Sequence, residues 1–276
     1  MIEKHVQQWV IRQARELGFD PACLRVQEAD ILLLFARYQP FFGQCERIPV
    51  SAYYPISHAA YQAVKVLIER LHAQGIPAEH LLEAPLKELS LVSGGTRLKN
   101  DLYAHPQLGS FVHIQAVLLG GRLPQVSVSS EKQDPACRDC LRCTHACRTG
   151  AIDSSGFHAE RCLRYYMGKS QIPEAYFPYV YELFGCERCQ TVCPKNHRQA
   201  EKPLCFDAEE ILSGRAIKEL KMLVGGNTAR YRRVIAQTIL IAANQKNPSL
   251  SEWIKVHALE AEFPRECAYA KKCLRD

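Results

Sequence analysis

Apolar positions near the N-terminus recur with the period of a helix. Val6, Trp9, Val10, Ala14 and Leu17 share one face, and Gly18 with Pro21 marks its end. Ile31 to Phe35 is different: an unbroken apolar run that reads as a buried strand. Pro40, Gly43 and Pro49 mark an irregular stretch. Ser57 stands where a helix running to about Gln74 would be capped, with Ala60, Val64, Leu67, Ile68 and Leu71 on its buried face and Gly75 and Pro77 behind it. Phe111 to Leu119 reads as a second buried strand. Gly94-Gly95 and Gly120-Gly121 lack the G-x-G-x-x-G spacing of a dinucleotide site and are expected to be tight turns or close backbone approaches. Ser127 to Pro135 is polar and reads as a linker.

After this linker the pattern shortens. Glu160 to Met167 and Ile172 to Leu183 are expected as short helices carrying aromatics that pack around whatever the cysteines hold. Asp207 followed by Glu210 is a capping-box-like helix start. Asn227 or Thr228 is expected to cap a further helix, with Tyr231, Ile235, Thr238 or Ile239 and Ala242 on one face and Pro248 closing it. The pattern predicts an α+β chain in three segments: an N-terminal α/β domain at 1–130; a segment at 131–203 whose cysteine spacing, opening with C-x2-C-x2-C-x3-C at Cys137 to Cys147, reads as a bacterial-ferredoxin-like double-cluster domain; and a short helical, HEAT-like segment at 204–276.

Eight cysteines carry the candidate chemistry. Cys137, Cys140, Cys143 and Cys147 have C-x2-C-x2-C-x3-C spacing; Cys162 follows, then Cys186, Cys189 and Cys193 with Pro194 behind. The first run is the bacterial ferredoxin pattern, in which the fourth cysteine serves the other cluster. Three cysteines two apart wrap one cluster, and one set further along is carried out of that loop. The expected sets are Cys137, Cys140, Cys143 and Cys193 for one 4Fe–4S cluster, and Cys147, Cys162, Cys186 and Cys189 for the other. Zinc is the alternative, since C-x2-C pairs also build tetrahedral sites. A disulfide framework fits small secreted scaffolds better than a chain of 276 residues. Cys23, Cys45, Cys205, Cys267 and Cys273 show no metal spacing and are expected as buried free thiols.

Composition adds limits. Hydrophobic content of 47% and charged content of 23% are those of an ordinary globular protein. No secretory signal is legible, and the longest apolar run is far too short to span a bilayer, so a reducing cytoplasm with no membrane partner is expected. The net charge of +6 is mild. Basic residues recur at Lys195, Arg198, Lys202, Arg215, Lys218, Lys221, Arg230, Arg232 and Arg233, either as a solvated surface or as a tRNA-facing one, diluted by nearby acids. His58, His105, His113 and His145 read as structural histidines, although Tyr53-Tyr54 and His58 could also line a cofactor or substrate cleft. No catalytic constellation is legible.

The segments CRDCLRCTHACRTGAI (137–152), HAERCLRYYMG (158–168) and GCERCQTVCPKN (185–196) resemble the double-cluster domain of epoxyqueuosine reductases. APLKELSLVSGGTRLKNDLYAHPQLGSFV (84–112) and VGGNTARYRRVIAQTILIAANQ (224–245) are similar to flanking parts of the same family. The resemblance implies two 4Fe–4S clusters fed by a flavodoxin- or ferredoxin-type donor. In full members it also implies a base-off cobalamin whose reduced cobalt removes the epoxide oxygen of epoxyqueuosine in tRNA. Pro85, Lys99, Asn100, Gly109 and Ser110 match, and Lys99 and Asn100, with Tyr54 and His58, are the cofactor-binding candidates. Leu82 stands where the family has the acid implied as proton donor, with Glu83 beside it. The glycine-rich turn is replaced in Gly95-Thr96-Arg97-Leu98, and Arg148 replaces a proline. These departures leave cobalamin open and the catalytic residue unassigned. Two readings follow: a cobalamin-linked reductase of a tRNA-borne or small substrate, and a ferredoxin-like electron-transfer or partner-docking protein without that reaction.

Arg138, Arg142 and Arg148 lie among the first four cysteines. Reduction makes a thiolate-bound cluster more anionic, so neighbouring cations favour the reduced form. Replacing Arg142→Glu is expected to lower a cluster midpoint potential in a redox titration; an unchanged titration assigns this arginine no tuning role.

Overall fold

The structure is a computed structural model that describes residues 4–40, 45–122, 133–169, 171–196 and 204–275. In chain order the first half contains α1 (Lys4–Glu16), β1 (Asp20–Val26), β2 (Ala29–Arg37), β3 (Ile48–Pro49), α2 (Tyr53–Ala73), β4 (Glu79–His80), α3 (Leu86–Ser93), β5 (Thr96–Arg97), β6 (Tyr103–Ala104) and β7 (Val112–Gly120). The rest contains α4 (Arg142–Ala146), β8 (Ile152–Asp153), β9 (Gly156–Phe157), α5 (Leu163–Met167), α6 (Arg188–Thr191), β10 (Cys205–Phe206), α7 (Ala208–Leu212), α8 (Ile217–Val224), α9 (Tyr231–Asn244), α10 (Leu250–Val256) and α11 (Pro264–Cys273). Contacts divide the described residues into two units. One takes those within 1–38, 56–141 and 193–197, the other those within 39–55, 142–192 and 198–276.

The first unit is built on an antiparallel sheet in the order β1-β2-β7-β4. The apolar run at Ile31–Phe35 does not alternate with polar residues because both faces of β2 are covered. Leu32, Leu34 and Ala36 pack with Val10 and Ala14 of α1 and with Val64, Leu67 and Leu71 of α2. Ile31, Leu33 and Phe35 pack on the other side with Leu89 and Leu91 of α3, and with Tyr103 and Ala116. The two expected strands are β2 and β7, and the first expected helix is α1. Gly121 sits at φ +80, and a Cβ there would collide with the Glu28 carbonyl, so the expected close backbone approach is present.

α2 begins at Tyr53, four positions before the expected Ser57 cap. Its first N–H groups find an acceptor elsewhere in the sequence: Tyr53 N donates to the Glu187 carboxylate at 3.2 Å. Pro55 falls in the first turn, where a missing N–H costs nothing.

The second unit is organised around α9, whose residues Val234, Ile235 and Gln237–Ala243 are all buried. α7 and α11 pack against it. Asp207 caps α7 as expected, its side chain accepting from Glu209 N and Glu210 N. The residue preceding α9 is Arg230 rather than Asn227 or Thr228. The expected helix at Ile172–Leu183 is absent. A 3-10 turn at Glu174–Tyr179 takes its place, started by Pro173 and containing Pro178, which removes a donor from any longer helix. Glu160–Met167 is split into a 3-10 turn at Ala159–Arg161 and the short α5.

Two polar side chains of α9 secure this irregular stretch. Gln237 accepts from Phe184 N at 2.8 Å and donates to Met167 O at 3.0 Å. Asn244 donates to Phe177 O at 2.8 Å and Val180 O at 2.7 Å, and accepts from the Tyr269 hydroxyl at 2.6 Å. The basic residues of this unit are partly consumed internally: Arg233 donates to Gly168 O at 2.6 Å, while Lys218, Lys221, Arg230 and Arg232 are exposed. Arg198 and Lys202 lie outside the described residues. Among the described residues no helix is long and apolar enough to cross a membrane.

Gln237→Leu orphans Phe184 N and Met167 O in a buried setting, on the order of 1–3 kcal/mol for each group. Chemical denaturation is expected to show the variant destabilised by at least that amount, whereas exposed Met222→Gln stays close to wild type.

Candidate metal centre

In the second unit, Cys147, Cys162, Cys186 and Cys189 line one cavity of about 40 Å³. A single water needs roughly 10–15 Å³ by the same measure, so the space accommodates a group larger than one water. Its remaining wall is mostly apolar, from Ala151, Ile152, Phe157, Leu163 and Tyr179, with Arg148 and Arg188 also present. α4 and α6 pack together, and Cys189 lies on α6. The Cys147 sulfur accepts from Ala151 N at 3.3 Å. The Tyr181 hydroxyl donates to the Cys186 sulfur at 3.7 Å and accepts from Glu187 N at 2.9 Å. Phe184, just before Gly185-Cys186, sits at φ +70, a conformation fixed by its bond to Gln237.

Burial, and then the Glu182 carboxylate, pushes the Cys186 thiol up to about 12; burial raises Cys162 as well. Apolar walls disfavour bare thiolates, and a bound metal supplies the positive charge that lets such sulfurs ionise. Four soft donors lining one low-polarity cavity, with an N–H···S contact, fit a 4Fe–4S cluster. Among the described residues, no three His, Cys, Asp or Glu side chains converge as closely as a single metal ion requires.

The first unit carries Cys137, Cys140 and Cys193. Asp134 organises the start of that loop. Its carboxylate accepts from Ala136 N at 3.0 Å, Thr96 Oγ1 at 2.8 Å and Lys195 Nζ at 2.9 Å. Burial pushes the Asp134 carboxyl up, but the Lys195 and Thr96 contacts and the Ala136 N–H outweigh it, so the group sits below the ordinary carboxylate range. Asn196 accepts from Ser110 N at 2.6 Å and donates to Ser110 Oγ at 2.9 Å. Gly109, at φ +68, leaves room for this approach; a Cβ would meet the Asn196 amide oxygen and the Lys195 carbonyl. The turn matched by resemblance at Gly109-Ser110 therefore anchors the segment that follows Cys193.

Lys99 donates to Arg138 O at 3.3 Å and Cys140 O at 3.1 Å, which makes it a brace of the cysteine loop. The neighbouring Asn100 is buried, and its Nδ2 has no partner among the described residues. Tyr54 packs edge-on against Phe184 at 5.7 Å, with the Arg164 guanidinium 5.6 Å from its ring. His58 is half-buried on α2. Leu82 is 63% exposed. His105 packs against Phe35, and burial lowers its pKa. Cys45 and Cys205 are not free thiols: pairing of β3 with β10 brings their sulfurs together as a disulfide. Cys23, Cys267 and Cys273 are free thiols as expected, but only Cys267 is fully buried. Of the organising residues, Asp134 had a legible signal, an acid before Pro135 at a turn start. Asn196, Gln237 and Asn244 had none.

Residues 136–196 match the family described as the 4Fe-4S double cluster binding domain. That match and the four-cysteine cavity support iron–sulfur binding by this part of the chain. Curated relatives include epoxyqueuosine reductases of Burkholderia pseudomallei, 31% identical over 173 residues (57% of this chain, 42% of the relative), and of Staphylococcus aureus, 30% identical over 131 residues (45% and 33%). The matches thus span less than half the length of those relatives. Over those stretches the chain is similar to epoxyqueuosine reductases. Its fold is that of epoxyqueuosine reductase structures. The one from Streptococcus thermophilus has a TM-score of 0.74 at 15% identity, covering 98% of this chain and 90% of that one. One with an epoxyqueuosine-modified tRNA stem loop has a TM-score of 0.72 at 17% identity, covering 98% and 89%.

Asp134→Asn removes a charge-assisted contact with Lys195, on the order of 1.5–3 kcal/mol. Because the folded pKa is depressed, this stability is fully present above the unfolded value and is lost as pH falls through the lower folded value. The wild-type-minus-variant difference in denaturation free energy is expected to be constant near neutrality and to close below about pH 4.

Proposed function

We propose that this chain is an iron–sulfur reductase that holds two 4Fe–4S clusters and relays electrons through them to a substrate site. One cluster takes Cys147, Cys162, Cys186 and Cys189, and the other takes Cys137, Cys140, Cys143 and Cys193. The observation that carries this reading is the apolar cavity bounded by four cysteines drawn from three separate stretches of sequence. The names of the relatives favour an epoxyqueuosine-type substrate, and a fold neighbour holding a tRNA stem loop favours a tRNA-borne one. A one-electron carrier of flavodoxin or ferredoxin type would supply the electrons.

A bound cobalamin would supply the reducing metal centre. The unpartnered Nδ2 of Asn100, beside Lys99 on the β5–β6 turn, favours a cofactor at that place. There Asn100 would donate to the cofactor, and Lys99 would hold the backbone of the cysteine loop in position through the carbonyls of Arg138 and Cys140. The second reading, an electron-transfer protein without the reaction, is favoured by Leu82, an exposed apolar side chain that can give no proton.

Iron and sulfide analysis of anaerobically purified protein, followed by titration with cob(II)alamin under EPR, decides between them. About eight iron atoms per chain and a base-off cobalt signal support the reductase. The same iron without cobalt binding supports the electron carrier, and zinc overturns both. Cys162→Ser is expected to reduce iron content to about four per chain, with the loss confined to one of two EPR-distinguishable clusters.

A further inference from the structure

Tyr181 reads from the sequence as one of several packing aromatics, but its hydroxyl is placed against a candidate cluster cysteine. It donates to the Cys186 sulfur at 3.7 Å and accepts from Glu187 N at 2.9 Å. The second bond fixes the phenol, because the backbone N–H occupies an oxygen lone pair and leaves the O–H for the sulfur. A phenol is neutral at physiological pH and therefore donates there. Donation by the Glu187 N–H also polarises the O–H and strengthens the bond beyond it.

The ring is held as well. The Arg188 guanidinium lies 4.1 Å from the Tyr181 ring centroid. Its Nε has no hydrogen-bond partner among the described residues. Arg188 also lines the cavity bounded by Cys147, Cys162, Cys186 and Cys189. Residues 181–188 thus fold back on themselves, so that one phenol touches both a cysteine sulfur and a cation. On its other side Tyr181 lines an open cavity of about 590 Å³, which Arg188 lines too. Cys186 lines the four-cysteine cavity and not this one. The ring is therefore part of the wall between the two spaces.

We propose that Tyr181, clamped by Arg188, raises the reduction potential of the cluster bound through Cys186 and closes that cluster off from the open cavity. The proposal rests on the cluster assignment made above. A hydrogen bond to a ligand thiolate withdraws negative charge from the cluster. Reduction adds negative charge, so the bond is stronger in the reduced state. The Arg188 cation acts in the same direction. Apolar walls disfavour the more highly charged reduced cluster, and these two side chains offset that penalty.

The test uses anaerobically reconstituted full-length protein, with iron analysis and an EPR-monitored dithionite titration of each variant. Tyr181→Phe keeps the ring and removes the donor. It is expected to retain about eight iron atoms per chain. One of its two midpoints should become more negative by about 59 mV, a tenfold change in a one-electron equilibrium, while the other stays in place. Arg188→Met is expected to lower the same midpoint, and Arg188→Lys, which keeps the charge, to lower it less. Tyr181→Ala opens the wall and is expected to lose iron to a water-soluble chelator several-fold faster than wild type or Tyr181→Phe.

Two unchanged midpoints in Tyr181→Phe overturn the tuning role, and an unmoved midpoint in Arg188→Met overturns the clamp. A wild-type chelation rate in Tyr181→Ala overturns the shielding. If Tyr181→Phe takes up no iron, fluorotyrosine in place of Tyr181 decides the matter. It keeps the shape and strengthens the donor, so the same midpoint must rise, and no rise overturns the tuning role. Wild-type protein that takes up no iron overturns the cluster assignment and this proposal together, whereas full iron with unmoved midpoints overturns this proposal alone.

Discussion

Loops that wrap clusters have little regular secondary structure, so their backbone N–H and C=O groups must be satisfied by side chains. The two units of this chain meet that constraint with a few buried polar residues. In the second, Gln237 and Asn244 on α9 together bond Met167, Phe177, Val180 and Phe184. Without them the stretch between Cys162 and Cys186 would have unpaired polar groups facing an apolar core. In the first, Asp134 accepts from Ala136 N beside Cys137, and Asn196, three residues after Cys193, docks on Ser110. The thiols are placed because the chain on either side of them is fixed.

The electrostatic setting of Cys186 works against a bare protein. Glu182, Glu187 and the sulfur are of one sign or become so on ionisation, and all are withdrawn from water. Arg164, stacked 4.1 Å from the Tyr53 ring, and Arg188, on Tyr181, supply nearby positive charge. Arrangements of this kind, unfavourable by themselves, concentrate where a cofactor or ligand completes them.

Much of the architecture was legible from local pattern. α1, β2 and β7 follow from apolar spacing, and Asp207 from its cap. Where the expectation failed, the cause was a distant partner or a proline. α2 starts early because Glu187, 134 residues away, accepts from its first N–H. The stretch Ile172–Leu183 does not form a helix because Pro173 and Pro178 break it. Cys45 and Cys205, separated by 160 residues, had no spacing to pair them until β3 and β10 came together.

By itself the sequence determined the number, type and spacing of the thiols, and which apolar runs had to be buried, because these depend on residues within a few positions of one another. Only the tertiary structure decided that Lys99 braces the Cys140 loop, that Asn196 docks on Ser110, and that Glu182 has an oxygen with no partner among the described residues. Those facts depend on which side chains meet after long loops close, and single-residue pattern carries no record of the far partner.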